Sequence, residues 1–254
     1  MLILGIDTST RQGSIALLKS ESTQPSQSAK SEEVTTIELA MLGEGRASEL
    51  LVPAIDALLA SHDVHPSTPT KGAPGTPGKR SLSLVAVASG PGSFTGLRVA
   101  VATAKGLAEA SAIPIVAVSV LEAVALASGV QGRVMAAMDA QRGELFFGEY
   151  VVEVGRGRAE RLREGIAAID HFARELASRL QIVTPDPALA ARLREASAAP
   201  ALQVSEVRHP NAEDFGRIAY SKFLAGEHAD VASLDANYLR RSDAEIVAAR
   251  KPPA

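Results

Sequence analysis

A short pattern that occurs twice in the chain constrains its fold more than any other feature. Each copy has an apolar strand, an aspartate, a polar turn, a glycine and a second apolar strand. Asp7 and Gly13 belong to the first copy, and Asp139 and Gly143 to the second, roughly 130 residues later. Apolar runs separated by a polar turn predict β-hairpins. An internally duplicated protein is therefore the simplest account.

Helices and further strands are predicted between the two hairpins. A buried strand over residues 84–88 leads into the glycine-rich GPGSFTG and then into a helix over residues 97–110. Apolar residues at helical spacing predict an amphipathic helix over residues 48–60. The sequence SVLE at residues 119–122 predicts a capping box that starts a third helix. This alternation of strands and helices indicates the α/β class.

The same pattern divides the chain into two lobes. Residues 1–110 are expected to form the first lobe and residues 111–210 the second. A helix over residues 211–225, capped by Asn211, returns to the first lobe. Residues 61–81 are rich in Pro, Gly, Ser and Thr, which predicts a disordered loop. Residues 236–254 are predicted to form an extended tail.

Composition excludes several classes of function. With 254 residues, of which 46% are hydrophobic, the chain can bury a large core. The formal net charge of −3 gives no general positive field for a phosphate backbone, so direct nucleic-acid binding is not favoured. The absence of cysteine removes disulfides and thiol nucleophiles. No segment is predicted to span a membrane, so a cytoplasmic protein is expected.

The turn of the first hairpin has residues that could bind a nucleotide. Asp7 could orient a metal-bound water, and the hydroxyls of Thr8, Ser9 and Thr10 could bind phosphate oxygens. Together with Asp139 they are candidate vestigial nucleotide-binding residues. An ordinary hairpin turn also favours Asp and Thr. An actin-like small-molecule kinase or ATPase is therefore kept as an alternative function.

The glycine-rich segment does not fit the common phosphate-binding motifs. The Walker loop requires a second glycine five residues after the first, followed by Lys and Ser or Thr, and the dinucleotide-binding fingerprint places its third glycine at the same spacing. The position five residues after Gly90 is Thr95, and Gly96 precedes Leu97. A tight strand-to-helix turn capped by Ser93 or Thr95 is the simpler interpretation.

Four small residues in the following helix recur every four positions: Gly96, Ala100, Ala104 and Ala108. Such a ridge lets another element approach the helix backbone closely. Two interpretations stay open at this point. The ridge either forms a subunit interface or packs on the sheet of the same lobe.

The histidines do not predict a metal site. His62 and His65 form an HxxH pattern within the predicted loop, without a third ligand nearby. The other three histidines are isolated, and no nucleophile elbow is present. No catalytic residues are therefore predicted.

Segments along nearly the whole chain resemble the TsaB family in order and spacing. They are GIDTST, SGPGSFTGLRVAVATAKGLA, AVSVLEAVA, MDAQRGELFFGEY, AEDFGRIA and NYLRRSDAEI, of which the glycine-rich segment with its helix is the most specific. The resemblance implies the actin-like ATPase/sugar kinase (ASKHA) fold with two RNase-H-like lobes. This fold agrees with the duplicated unit.

The resemblance also implies a function. Proteins of this family, some labelled glycoproteases, are similar to the transferase TsaD but are non-catalytic. They serve as scaffold and activator in the complex that makes N6-threonylcarbamoyladenosine on tRNAs, next to the anticodon.

The resemblance further implies the partners. They are TsaD, which would hold ATP and a metal ion, and the ATPase TsaE, whereas tRNA would be contacted only indirectly. The chain alone would bind no cofactor and would form a homodimer through the face that binds TsaD. The residues expected at this interface are Leu51, Ile55, Leu58, Gly96, Leu97, Ala100, Ala104 and Ala108.

Overall fold

The computed structural model describes residues 1–21, 34–66, 80–175, 181–196 and 203–239. In chain order the strands are β1 (Leu2–Asp7), β2 (Ser14–Ser20), β3 (Val34–Met41), β4 (Val64–His65), β5 (Arg80–Ser81), β6 (Leu84–Gly90), β7 (Ile115–Ser119), β8 (Gly132–Gln141), β9 (Glu144–Glu153), β10 (Arg158–Ala168), β11 (Gln181–Thr184) and β12 (Val204–Glu206). The helices are α1 (Ala47–Ser61), α2 (Phe94–Ser111), α3 (Val120–Ala127), α4 (Ile169–Glu175), α5 (Pro187–Ala196) and α6 (Ala212–Leu224). The chain is therefore mixed α/β, as predicted.

The two large sheets have the same topology. The first has five strands in the order β3-β2-β1-β6-β7, and the second has five in the order β10-β9-β8-β11-β12. In each, the three strands of the hairpin side are antiparallel and the other two are parallel to the central strand. The repeated sequence pattern supplies the first two strands of each sheet.

Three apolar layers cover the faces of the sheets. Helices α1 and α2 pack on the outer face of the first sheet, and α4 and α5 pack on the outer face of the second. Helices α3 and α6 lie in an apolar cluster that includes strands of both sheets. Strand β1 is buried on both faces, with Ile3 in the central layer and Leu4 in the outer one, which explains its continuous apolar run.

The sheets do not divide at residue 110. Strand β7 pairs in parallel with β6, so the first sheet includes residues that the predicted division places in the second lobe. Helix α6 packs on β1, β2 and β6, which brings the chain back to the first sheet. Gly5 permits this packing, because a Cβ there would lie 2.1 Å from the carbonyl oxygen of Ala212.

Some local predictions are confirmed and others are wrong. Asn211 caps α6 in a capping box with Asp214. The capping box predicted at Ser119 is absent, since that hydroxyl donates to Glu164 instead. Strand β10 was not predicted, because its charged edge-strand sequence lacks apolar alternation. Most of the predicted 61–81 loop and most of the 236–254 tail lie outside the described residues.

An ion pair within the central layer joins α3 to α6. The carboxylate of Glu122 is buried and lies 3.1 Å from the Lys222 ammonium. Burial raises the pKa of Glu122, and the charge of Lys222 opposes this rise. We expect Lys222→Met to lower the free energy of unfolding by about 3–5 kcal/mol, because it leaves a buried carboxylate unpaired.

Urea denaturation measures this effect, and the double variant Glu122→Met, Lys222→Met is the control. It should recover most of the loss, since apolar side chains of similar size replace both charges. A loss of less than about 1 kcal/mol in the single variant, typical of an exposed ion pair, would contradict the prediction.

Candidate functional site

A cleft of about 830 Å3 lies where the turns of the two hairpins meet. Ser9 and Thr10 of the first turn and Asp139 of the second line it. The glycine-rich loop before α2 forms a third wall. Three of the five candidate nucleotide-binding residues therefore face the cleft.

The other two candidates, Asp7 and Thr8, lie behind the cleft wall. Oδ1 of Asp7 accepts a hydrogen bond from the Ser9 amide at 2.9 Å, and the Thr8 hydroxyl donates to the carbonyl oxygen of Gly96 at 2.6 Å. Burial raises the pKa of Asp7 to about 6, against the effect of its hydrogen bonds with Ser9. Both side chains thus organise the turn itself.

The glycines of GPGSFTG allow the loop to lie directly on this turn. A Cβ at Gly92 would come within 2.4 Å of the Ser9 carbonyl oxygen, and one at Gly96 within 2.0 Å of the Thr8 carbonyl oxygen. The Ser93 amide donates to the Ser9 carbonyl at 2.7 Å. The Ser93 hydroxyl also accepts from the Gly96 amide, so the predicted cap of α2 is confirmed at Ser93.

These contacts do not favour the kinase alternative. The amides of Ser9, Ser93 and Gly96, which could have bound phosphate, donate to the protein instead. Asp139 likewise accepts from the backbone and side-chain nitrogens of Gln141, each at 2.9 Å. The polar groups of the two turns mainly stabilise the turns.

Within the described residues, no group of three or more potential ligands is placed to hold a metal ion. Nε2 of His62 lies 2.7 Å from a carboxylate oxygen of Glu38 on β3. This contact ties the end of α1 to the edge of the first sheet.

A segment that sequence reasoning did not assign to the site closes one end of the cleft. We call residues 229–239 the strap. Tyr238 lies beside Phe94, with ring centroids 5.2 Å apart, and the guanidinium of Arg98 stacks 3.7 Å from the Phe94 centroid. Nε of Arg98 also donates to the Tyr238 hydroxyl at 3.1 Å. The resemblance segment that begins with Asn237 was the signal that could have identified it.

The ridge of small residues in α2 faces inward. Ala100 and Ala104 are fully buried in the layer between α2 and the first sheet, with Leu51 of α1 in the same cluster. All eight residues predicted at the interface are buried in the isolated chain: Leu51, Ile55, Leu58, Gly96, Leu97, Ala100, Ala104 and Ala108. In the isolated chain the ridge therefore packs on its own sheet, and these eight side chains are not exposed.

A second row of small residues lies on the opposite side of the same helix. Ala102, Gly106 and Ala110 are exposed and four positions apart. The neighbouring helix α1 exposes Pro53 and Ala57. We call these five residues the outer face. Helices α1 and α2 are in contact, and small exposed residues of this kind allow another helix to approach closely.

Replacing glycine by alanine should have opposite effects on the free energy of unfolding at the inner and outer faces of α2. Gly96→Ala should lower the free energy of unfolding by about 3 kcal/mol or more, because the new Cβ would overlap the Thr8 carbonyl. Gly106→Ala should raise it by about 0.5–1 kcal/mol, because nothing lies within 4 Å of the new methyl and alanine favours a helix. Urea denaturation of the two variants tests this, and equal effects would contradict it.

The buried carboxyl of Asp7 predicts a pH dependence. Its pKa is about 6 in the folded chain against an ordinary value of 3.8, so the folded state holds the proton more tightly. The stabilisation that comes from this tighter proton binding is complete below about pH 4 and is lost as the pH rises through 6. Relative to Asp7→Asn, the wild type should therefore lose roughly 3 kcal/mol of unfolding free energy over this interval.

Urea denaturation of both proteins across this pH range measures the difference. A difference that stays constant with pH would show that Asp7 does not titrate in this way.

Comparison with known proteins agrees with this architecture. The family model described as TsaD, tRNA N6-adenosine threonylcarbamoyltransferase, matches residues 46–179. The chain is 35% identical over 157 residues to the tRNA threonylcarbamoyladenosine biosynthesis protein TsaB of Bacillus subtilis, covering 61% of this chain and 57% of that protein. It is 31% identical over 156 residues to the protein of the same name from Haemophilus influenzae, covering 60% and 55%. The matched part thus spans about half the length of these curated relatives.

Solved structures share the fold over almost the whole chain. The crystal structure of a Pseudomonas aeruginosa protein described as similar to peptidase YEAZ is 24% identical, covers 94% of this chain and 99% of that one, and gives a TM-score of 0.69. YeaZ from the same organism gives 0.68 at the same identity and coverage. None of the helices in the described residues is long and apolar enough to cross a membrane.

Proposed function

This chain belongs to the TsaD family of tRNA N6-adenosine threonylcarbamoyltransferases, and we propose that it acts there as a non-catalytic partner subunit of TsaD itself. The relatives named TsaB support a role in threonylcarbamoyladenosine biosynthesis. The internal hydrogen bonds of the two cleft turns support a scaffold more than a transferase.

The fold supports a common origin with the catalytic subunit. Two sheets of identical strand order, joined through α3 and α6, are what two RNase-H-like lobes of an ASKHA protein would give. The cleft between them corresponds in position to a nucleotide site between two such lobes. We infer that the chain keeps this architecture for assembly.

The observation that carries the proposal is the outer face of α1 and α2. Ala102, Gly106 and Ala110 leave the α2 backbone accessible, and Pro53 and Ala57 extend this surface across α1. Small residues allow helices to pack at short distance and bury area efficiently. We propose that a matching helix pair of TsaD packs here, and that two copies of this chain use the same surface when TsaD is absent.

In this proposal each subunit of the assembly has a separate role. TsaD would hold ATP and the metal ion and would transfer the threonylcarbamoyl group to the adenosine next to the anticodon. The ATPase TsaE would join the assembly, and tRNA would reach this chain only through its partners. The net charge of −3 supports an indirect contact with tRNA.

Tryptophan substitutions on the outer face test the docking surface. Ala102→Trp and Gly106→Trp should weaken binding to TsaD roughly a hundredfold, because a bulky side chain prevents close helix approach. Both residues are exposed, so the variants should keep the circular dichroism spectrum of the wild type. Binding is measured by pull-down and by titration calorimetry with TsaD.

Ala191→Trp is the matched control, because Ala191 is an exposed alanine on helix α5 of the second sheet's outer layer. This variant should bind TsaD like the wild type. Unchanged binding by both outer-face variants would place the interface elsewhere. Ala104→Trp cannot serve this purpose, since that side chain is fully buried and its enlargement should unfold the chain.

Calorimetry with ATP and magnesium separates the proposal from the kinase alternative. The isolated chain should show no saturable heat and no turnover, because the turn amides are already hydrogen-bonded within the protein. Tight binding with turnover that is lost in Asp7→Asn would instead establish the kinase.

A further inference from the structure

We propose that the strap is a latch that fixes the angle between the two lobes, and that its fastening point is the hydrogen bond from Asn237 to Glu164. This inference does not depend on the proposed function. It concerns how one side chain joins three parts of the fold.

Glu164 of β10 is the point where these parts meet. Its side chain is 4% exposed and accepts hydrogen bonds from Ser119 at 2.5 Å, from the Tyr150 hydroxyl and from Nδ2 of Asn237 at 2.7 Å. The guanidinium of Arg161, on the same strand, lies 3.5 Å from the oxygen that Asn237 binds. Ser119 ends β7 of the first sheet, Tyr150 lies on β9 of the second sheet, and Asn237 belongs to the strap. Burial, followed by the charge of Glu164, raises the pKa of Tyr150 and keeps its hydroxyl a donor.

The strap is held independently to the first sheet and to α2. The Asn237 amide donates to the Ser89 carbonyl oxygen at 2.7 Å, at the end of β6. Lys105 of α2 donates to the strap carbonyls of Ala232 and Leu234 at 3.1 and 2.9 Å. Thus the backbone of the strap follows the first lobe, whereas the Asn237 side chain reaches the second.

The hydrogen bond between Asn237 and Glu164 lies where its loss would affect the width of the cleft. Asn237 lines the 830 Å3 cleft on one side and a polar cavity of about 550 Å3 on the other. The apolar layer of α3 and α6 keeps the lobes together and would act as the hinge. Tyr150 of that layer contacts Glu164 from one side, and Asn237 contacts it from the side of the strap, between the two cavities. Releasing the bond between Asn237 and Glu164 would widen the cleft and join the two cavities.

Exchanging the amide donor at position 237 and the carboxylate acceptor at position 164 tests the latch. Asn237→Asp places a second carboxylate against Glu164, which should release the strap side chain by repulsion. Adding Glu164→Gln places an amide donor opposite the new carboxylate at position 237, so the contact between the strap and β10 should form again. Hydrogen bonds to buried charged groups are among the strong ones. We therefore expect Asn237→Asp to lower the ratio of molecules with this contact to molecules without it by about tenfold or more.

Distances between two nitroxide labels measure this ratio. The chain contains no cysteine, so Asp56→Cys on α1 and Arg192→Cys on α5 can be labelled selectively at exposed sites on opposite outer layers. Labelled chains are diluted with an excess of unlabelled chains, so that distances between copies do not contribute, and the wild-type background should then give one narrow distance distribution. Asn237→Asp should add a population at longer distance, and the double variant with Glu164→Gln should remove it.

Ser233→Ala is the control within the strap, because its exposed hydroxyl donates to Asp230 in the same segment. Its distribution should match that of the wild type. If Asn237→Asp does not fold, as judged by circular dichroism, Asn237→Ala removes the amide without adding charge and should still broaden the distribution. A narrow distribution in the folded Asn237 variants, or a double variant no narrower than the single one, would overturn the proposal.

Discussion

The close backbone contact between the glycine-rich loop and the first hairpin turn determines the position of the elements around the cleft. Gly96 rests against the carbonyl of Thr8, and the Ser93 amide binds the carbonyl of Ser9. This contact fixes where α2 begins, and α1 packs on α2 in turn. Any side chain larger than hydrogen at Gly96 would move the whole helix. The motif that resembles a phosphate loop therefore serves chiefly to hold a helix on its sheet.

Helix α2 carries small residues on two faces, and the two faces have different physical roles. On the inner face, Ala100 and Ala104 let the helix approach the sheet, so the larger Leu51 and Leu97 can fill the remaining volume. On the outer face, Ala102 and Gly106 cover no apolar core of their own chain. An exposed glycine within a helix lowers its stability, and a close helix contact is the usual compensation.

Much of the fold could be predicted from local patterns, whereas the direction of α2 could not. The hairpins, the α/β class and the caps at Ser93 and Asn211 depend on neighbouring residues, and each is present. A spacing of four residues, however, describes an inner and an outer ridge equally well, and the ridge expected at an interface is buried against the sheet. The cap at Ser119 failed for a related reason, because a buried acceptor 45 residues away binds its hydroxyl more effectively.

Long-range polar contacts supplement the three apolar layers. Each lobe has its own outer layer, and the central layer of α3 and α6 is shared, so hydrophobic burial in that layer helps to hold the lobes together. Burial is not directional and would tolerate a range of angles between the sheets. Glu164 accepts hydrogen bonds from both sheets and from the strap, and these directional bonds restrict the angle between the sheets. Only one of these donors, Asn237, belongs to the strap, so its substitution removes the strap contact while the contacts of Ser119 and Tyr150 with Glu164 remain.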